Sequence, residues 1–277
     1  MKIDGKAIAE EIYTTLRQQV LDLKSKNITP HLAVILVGDD PASHAYVKQK
    51  KLRGEEIGIT VTIHHYNKTV TTEALLQTIK QLNNDNNVHG IIIQQPLPSQ
   101  IDTKTLIQAT DPRKDVDGFH DDSSFQPPIA DAAITILKDV FAKGNESDTF
   151  DIWLQKKTIT VAGKGETGGK PIINRLQTMG CTVQIIDSKT KNQKEFLENA
   201  AIVVSCIGKP DILDTTALKK GVILLCIGMF RGEDGKLHGD YEAEAVESTA
   251  SYYTPVPGGI GPVNVASLLK NVVDAAK

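Results

Sequence analysis

Thr158-Ile159-Thr160-Val161-Ala162-Gly163-Lys164-Gly165-Glu166-Thr167-Gly168 joins an apolar run to a glycine-rich turn. The first five residues read as a short strand. The next six are a literal Gly-x-Gly-x-x-Gly, and Ile172, Leu176 and Met179 follow at helical spacing. A glycine turn between a strand and a helix makes a tight bend and lets phosphate approach the backbone. The amides at the helix N-terminus then face the anion. Asp187 ends the next apolar run, near the spacing at which an acidic residue meets an adenosine ribose. An ordinary strand–helix turn is the competing reading. A P-loop fails, because Lys170 stands at the wrong offset and Pro171 follows it. A carboxylate at the ribose favours NAD and repels the 2′-phosphate of NADP. Lys164, Ser188 and Lys189 are the groups that could hold such a phosphate, so the residues alone leave both cofactors open.

Downstream, Thr182–Ile186, Ile202–Ile207 and Val222–Ile227 read as further buried strands. Upstream, Ile8, Ile12, Leu16, Val20 and Leu23 mark one face of a long helix. His31–Val37 is a buried strand ending at Gly38. A helix opens with Pro41 in its first turn and runs to about Glu56. Ile59–His65 alternates as a strand, Leu75, Leu76, Ile79 and Leu82 mark a helix, and Val88–Ile93 is another strand. Strands alternating with helices imply parallel sheets covered by helices. An amphipathic stretch, Ile129–Phe141, follows the Pro127-Pro128 break. The polar loop Gly144–Asp148 reads as a domain-boundary marker, and Val263–Ala276 is a last amphipathic helix.

Composition narrows the class. A chain of 277 residues is one large or two medium domains. With 40% hydrophobic and 23% charged residues it is globular, neither disordered nor fibrous. A net charge of −3 gives no basic field, so no nucleic-acid partner is expected. No apolar run approaches the about 20 residues of a membrane span, and the N-terminus lacks a signal-peptide pattern. Cys181, Cys206 and Cys226 sit in or beside apolar runs, as small core residues in a reducing cytoplasm. No Cys-x-x-Cys or His/Cys cluster exists, so no metal is expected.

Other residues stand out in the first half. Tyr46 and Lys50 are four apart and share a helix face, which alone reads equally as a solvated surface. Gln94 follows a strand, where ligands bind in open α/β sheets, and precedes Gln95-Pro96-Leu97-Pro98. Asp115-Val116-Asp117-Gly118 is a turn with two carboxylates. Thr254-Pro255-Val256-Pro257-Gly258-Gly259-Ile260-Gly261-Pro262 is a rigid loop poor in side chains. It either connects domains or lets a flat ligand lie against backbone.

Taken together, Ile3-Asp4-Gly5-Lys6, Tyr46-x-x-x-Lys50, Gln94 before Pro96-Leu97-Pro98, Asp115-Val116-Asp117-Gly118, Ser188-Lys189-Thr190, Gly208-Lys209-Pro210 and Pro255–Pro262 carry a resemblance. In this order they resemble the bifunctional methylenetetrahydrofolate dehydrogenase/cyclohydrolase family over nearly the whole chain. The resemblance implies a two-domain α/β protein. A folate-binding catalytic domain, 1–126, would be completed by a returning C-terminal helix, 262–277, and a Rossmann-like cofactor domain would span 127–261. Folate would enter a cleft between them, and the protein would be a cytoplasmic homodimer. The resemblance further implies oxidation of 5,10-methylenetetrahydrofolate by NADP, then hydrolysis of the methenyl product to 10-formyltetrahydrofolate. Lys50 would carry the hydrolysis, with Gln94 holding its amine. Asp117 would anchor the pterin edge and Tyr46 flank the ring. Gly163, Lys164 and Gly165 would bind phosphate and Ser188 the adenosine end, Met229 would touch the nicotinamide region by backbone, and Pro257, Gly258 and Gly261 would face folate and cofactor.

The chain departs from the family pattern on the cofactor side. Lys164-Gly165 replaces the usual Arg-Ser, and Asp187-Ser188 replaces His-Ser. Both changes fall on the 2′-phosphate site, so NAD stays open beside NADP. Pro127-Pro128-Ile129-Ala130 replaces Pro-Cys-Thr-Pro, the segment from His120 to Pro127 is shorter than usual, Val263-Asn264 replaces Met-Thr, and Cys226 stands for Asp. Two alternatives follow: a cyclohydrolase with weak or lost dehydrogenase activity, and a non-catalytic folate- or nucleotide-binding paralogue. Retention of Tyr46, Lys50, Gln94 and Asp117 argues against the second, since simple binding does not need Lys50.

Overall fold

The computed structural model describes residues 1–144, 147–210 and 212–277. The chain separates into two compact units. One comprises Glu10–Pro128 with Val265–Lys277, the other Met1–Ala9 with Ile129–Asn264.

The first unit takes most of α1 (Gly5–Ser25), then β1 (His31–Val37), α2 (Pro41–Glu56), β2 (Thr60–Tyr66), α3 (Thr72–Asn84), β3 (Gly90–Ile93) and α4 (Thr103–Ala109). Its three strands are parallel in the order β2-β1-β3, with Val37 beside Tyr66 and Ile35 beside Ile93. The central strand is buried from Leu32 to Val37, as expected of a parallel sheet covered on both faces. Ala33, Ile35 and Val37 pack with Leu75, Ile79 and Leu82 of α3 and Leu106 of α4. Ile79 is fully buried, and each such side chain contributes about 1.5–3 kcal/mol. The spacing predicts a third strand from Val88. The strand begins at Gly90, because the Val88 amide closes a turn onto the Asp85 carbonyl.

The second unit contains α5 (Pro128–Lys143), α6 (Phe150–Gln155), β4 (Ile159–Ala162), α7 (Gly169–Thr178), β5 (Val183–Ile186), α8 (Gln193–Asn199), β6 (Ile202–Ser205), β7 (Ile223–Cys226), β8 (Met229–Arg231), β9 (Leu237–Gly239), α9 (Ala243–Val246) and β10 (Tyr252–Tyr253). Five strands form a parallel sheet in the order β10-β7-β6-β4-β5, and β8 with β9 is an antiparallel hairpin. The sixth strand was expected to reach Ile207. It ends at Ser205, because the amides of Ile207 and Gly208 turn to the Asp240 carboxylate. Two residues of the 144–148 loop lie outside the described residues, and the division between the units falls earlier, after Pro128, not at this loop as its polarity suggests.

The last helix, α10 (Ile260–Ala275), belongs from Val265 onward to the first unit. Its Asn271 amide donates to the carbonyls of Val116 and Gln126, both at 3.0 Å. One side chain thus holds the two ends of the loop that carries Asp117.

Candidate active site

In the first sheet the strand order reverses between β1 and β3. The crevice outside the carboxyl ends of such strands is where open α/β sheets bind ligands. Three elements deliver side chains there. Gln94 directly follows β3, and its amide continues the ladder onto Ile35. Helix α2 starts close behind β1. The Asp40 carboxylate caps it by accepting from the Ser43 amide at 2.7 Å, and Pro41 presets its first turn. The Asp115–Gly118 turn lies beside β3, because Asp115 bridges to Ile91.

These elements bring Lys50, Gln94 and Asp117 together. Lys50 Nζ donates to Gln94 Oε1 at 3.0 Å, while Gln94 Nε2 donates to the Gln95 carbonyl at 2.7 Å. The second bond turns the amide so that its oxygen faces the lysine. Burial lowers the Lys50 pKa from the usual lysine range, against the pull of the Asp117 carboxylate. Burial raises Asp117, opposed by Lys50 and reinforced by Asp115. Both members of the pair are thus driven toward their neutral forms. Tyr46 lies one turn before Lys50 on the same helix and is 37% exposed, which leaves part of its ring open to a flat partner. Ile91, Ile93, Ile107 and Phe119 wall a small concavity onto which Asp117 and Asp115 open.

The two carboxylates of that turn have different tasks. Asp115 is buried and accepts from the His120 amide at 2.8 Å, so it shapes the following loop. Asp117 is left to face Lys50. Residue type alone does not separate the two; the bridge to Ile91 and the bond from the His120 amide give Asp115 its structural task.

In the second sheet the order reverses between β4 and β6. The glycine turn leaves β4 here, with the Gly163 amide bonded to the Ile186 carbonyl. Gly163 has φ +92°, and a Cβ there would sit 2.9 Å from the Cys206 carbonyl oxygen. The close approach between turn and helix falls at Gly169: a Cβ on it would sit 2.0 Å from the Gly163 oxygen. Gly168, the third glycine of the fingerprint, makes only ordinary contacts. The helix-packing glycine is therefore one residue later than the motif indicates. Gly165 faces open space, and Gly168 is the N-cap of α7, which has no side-chain cap. That combination fits the phosphates of a dinucleotide.

Asp187 follows β5. It accepts from the Lys189 amide at 2.9 Å, and its other oxygen meets Lys164 Nζ at 2.8 Å. The lysine and these amide contacts hold its pKa down at about 2. The two residues on which the sequence leaves cofactor choice open are therefore an ion pair. Ser188 is exposed beside them.

The far side of this sheet end is organised by Asp240, which the sequence does not single out. It is buried at 2% exposure and accepts from Ser205 Oγ at 2.5 Å, the Ile207 amide at 2.9 Å and the Gly208 amide at 2.6 Å. Gly208 lies against Met229, which opens the β8–β9 hairpin. Pro257 follows a cis bond, Gly258 has φ +100°, and Gly261 lies in the first turn of α10. The Gly258 carbonyl accepts from the Gly5 amide at 3.0 Å, and a Cβ on Gly5 would meet the Gly259 oxygen at 1.8 Å. Only glycine fits there, which accounts for Gly5 in the Ile3-Asp4-Gly5 segment. Cys181 and Cys226 are buried, and Cys206, directly after β6, is half-buried with its thiol pushed up by burial.

Comparison with known proteins gives the family of both halves of the chain. Residues 3–117 match the family model of the tetrahydrofolate dehydrogenase/cyclohydrolase catalytic domain, and residues 147–277 that of its NAD(P)-binding domain. The chain is 43% identical to the bifunctional protein FolD of Nautilia profundicola, covering 99% of this chain and 96% of that one. The bifunctional FolD of Campylobacter jejuni superposes with a TM-score of 0.92 at 37% identity, covering 100% of this chain and 98% of the other. The Trypanosoma brucei enzyme, solved with NADP and an inhibitor, gives 0.90 at 28% identity, with 99% and 96% covered.

Proposed function

Because the chain belongs to the tetrahydrofolate dehydrogenase/cyclohydrolase family, we propose that Lys50 is its hydrolytic base and the Gly163–Gly168 turn its dinucleotide cradle. The protein oxidises 5,10-methylenetetrahydrofolate with NAD(P) and hydrolyses the methenyl product to 10-formyltetrahydrofolate. The folate chemistry is assigned to residues 1–126 with 262–277 and the dinucleotide to 127–261, although by compactness Met1–Ala9 group with the second unit.

The bond between Lys50 and Gln94 beside Asp117 carries the reading. Hydrolysis adds water across the carbon–nitrogen bond of the methenyl bridge and opens the ring, releasing one proton. A general base must take a proton from the attacking water. Lys50 serves because burial disfavours its charged form, and a cationic substrate disfavours it further. Gln94 Oε1 accepts from the amine and aims its lone pair. Asp117 offers two acceptor oxygens to the 2-amino-pyrimidine edge of the pterin, in the manner of a carboxylate–guanidinium fork. Tyr46 flanks the ring system.

For the oxidation, a bound nicotinamide would supply the acceptor for a hydride from the one-carbon bridge. The chain's own part is to bind and orient. Gly163, Lys164, Gly165 and the uncapped start of α7 hold phosphate. Ser188 meets the adenosine end, Met229 lends backbone to the nicotinamide end, and Pro257, Gly258 and Gly261 present a face free of bulky side chains. The Lys164–Asp187 pair supports use of NADP with weakened discrimination against NAD: the lysine serves a 2′-phosphate, the carboxylate a ribose hydroxyl. The working form is assigned as a cytoplasmic homodimer.

Lys50→Met tests the assignment. The variant is expected to lose hydrolysis of supplied methenyltetrahydrofolate while still reducing cofactor with methylenetetrahydrofolate. Full cyclohydrolase activity would refute the role of Lys50.

A further inference from the structure

Asp39, His44 and His65 meet away from the residues assigned above. Asp39 follows the Gly38 turn at the end of β1, His44 sits in the first turn of α2, and His65 is the penultimate residue of β2. Parallel pairing sets Val37 beside Tyr66, and the Gly38 amide bonds to the Tyr66 carbonyl at 2.8 Å. Gly38 has φ +78°, a conformation that suits glycine and turns its carbonyl toward both imidazoles. His65 Nε2 lies 2.9 Å from that oxygen and His44 Nε2 3.2 Å. Asp39 Oδ1 lies 3.5 Å from His65 Nε2 and 3.9 Å from His44 Nε2. The rings stand edge to face, with centroids 5.0 Å apart. The nitrogen and carboxylate ligand atoms all lie within 4.8 Å of one another.

We propose that Asp39, His44, His65 and the Gly38 carbonyl form a binding site for a divalent cation of the zinc class. The argument is geometric. With zinc–ligand bonds of about 2.0–2.2 Å, neighbouring ligands of a tetrahedron are separated by about 3.3–3.6 Å. Four such separations here, 2.9, 3.2, 3.5 and 3.9 Å, bracket that value. Two imidazole nitrogens with two oxygens is a donor set for zinc or its neighbours, not for magnesium or calcium, which take oxygen alone. The Asp39 carboxylate is not spent on the helix, because Asp40 caps α2. The side chains are 42%, 43% and 84% exposed for His44, His65 and Asp39, so an ion enters and leaves without opening the fold. The site is therefore exchangeable. His44 and Tyr46 lie about 200° apart around α2. The ion would tie the end of β2 to the first turn of the helix that carries Lys50, from the face opposite Tyr46.

The test is metal titration of the untagged, chelator-stripped full chain. One Co2+ per chain should bind saturably with visible d–d absorption, and Zn2+ should displace it. Zn2+ should also raise the Tm. His44→Ala and His65→Ala should each weaken binding by at least about tenfold and abolish the Tm shift. His44→Gln should behave alike, and a native circular dichroism spectrum checks folding. His238→Ala should bind as the parent does, since His238 lies in a separate contact with Asp234 and Glu242. Absence of saturable binding, unchanged binding in both histidine variants, or loss of binding in His238→Ala would overturn the proposal. In the first case the imidazoles simply donate hydrogen bonds to the Gly38 carbonyl.

Discussion

Replacing Asp187 by Ser should move cofactor preference decisively toward NADP, and the size of the change follows from the site. Two unit charges 4 Å apart interact by about 1 kcal/mol in water and about 4 kcal/mol at an effective dielectric of 20. Lys164 is 63% exposed and Asp187 24%, which places the pair near the aqueous limit. A dianionic 2′-phosphate on a ribose placed beside Asp187 would then be disfavoured by about 2 kcal/mol. Drawing Lys164 from its 2.8 Å contact adds little, since exposed pairs are worth about 0–1 kcal/mol. Removing the carboxylate lifts the repulsion and frees the lysine, so kcat/KM for NADP should rise about 30-fold, at 1.4 kcal/mol per decade. NAD loses the charged acceptor for its ribose hydroxyl, so the NADP/NAD ratio rises further. Because Asp187 is held at about 2, it is ionised at any assay pH, and the parent's preference should not titrate through this group. The assay is initial-rate reduction of each cofactor with methylenetetrahydrofolate. A ratio within about threefold of the parent's, in a variant of unchanged Tm, would refute the electrostatic reasoning.

The cyclohydrolase rate should rise with pH and level off below the usual lysine value of 10.5, because the active form of Lys50 is unprotonated and burial lowers its pKa. A rate that falls as pH rises would exclude Lys50 as the base. Asp240→Ala leaves the Ser205 hydroxyl and the Ile207 and Gly208 amides without their acceptor, so urea unfolding should show a loss of about 2–4 kcal/mol. Gly169→Ala drives a Cβ toward the Gly163 oxygen, and should cost about 1–3 kcal/mol. Its dinucleotide affinity, read by fluorescence titration, should fall while hydrolysis persists.

The pattern of apolar runs carries most of the fold. The expected strand His31–Val37 and the helix Pro41–Glu56 occur with those bounds, because a buried parallel strand and a proline-started, Asp40-capped helix leave strong local signals. What is illegible is what depends on distant partners. β6 stops at Ser205 because a carboxylate 35 residues on collects its next amides. The hairpin β8–β9, the short α4, α6, α8 and α9, and β10 carry too few residues for periodicity to register. Within the site, Lys50 and Gln94 are 44 residues apart, and only the β2-β1-β3 order makes them neighbours. The opposition of Lys164 and Asp187 is visible in the sequence, but their mutual neutralisation is not. Asp39, His44 and His65 escape notice because the spacing rules for metals look for clustered ligands in one segment.

The grip of Asn271 on the Val116 and Gln126 carbonyls has a consequence in time. Residues 10–128 emerge from the ribosome before residues 129–264, yet the unit they build is completed only from Val265 onward. At about 5–20 residues per second, the intervening stretch takes about 7–27 s to synthesise. Throughout that interval the Asp117 loop lacks the side chain that closes it. A nascent chain must therefore wait, or be sheltered, with its hydrolytic residues already translated and the unit around them unfinished.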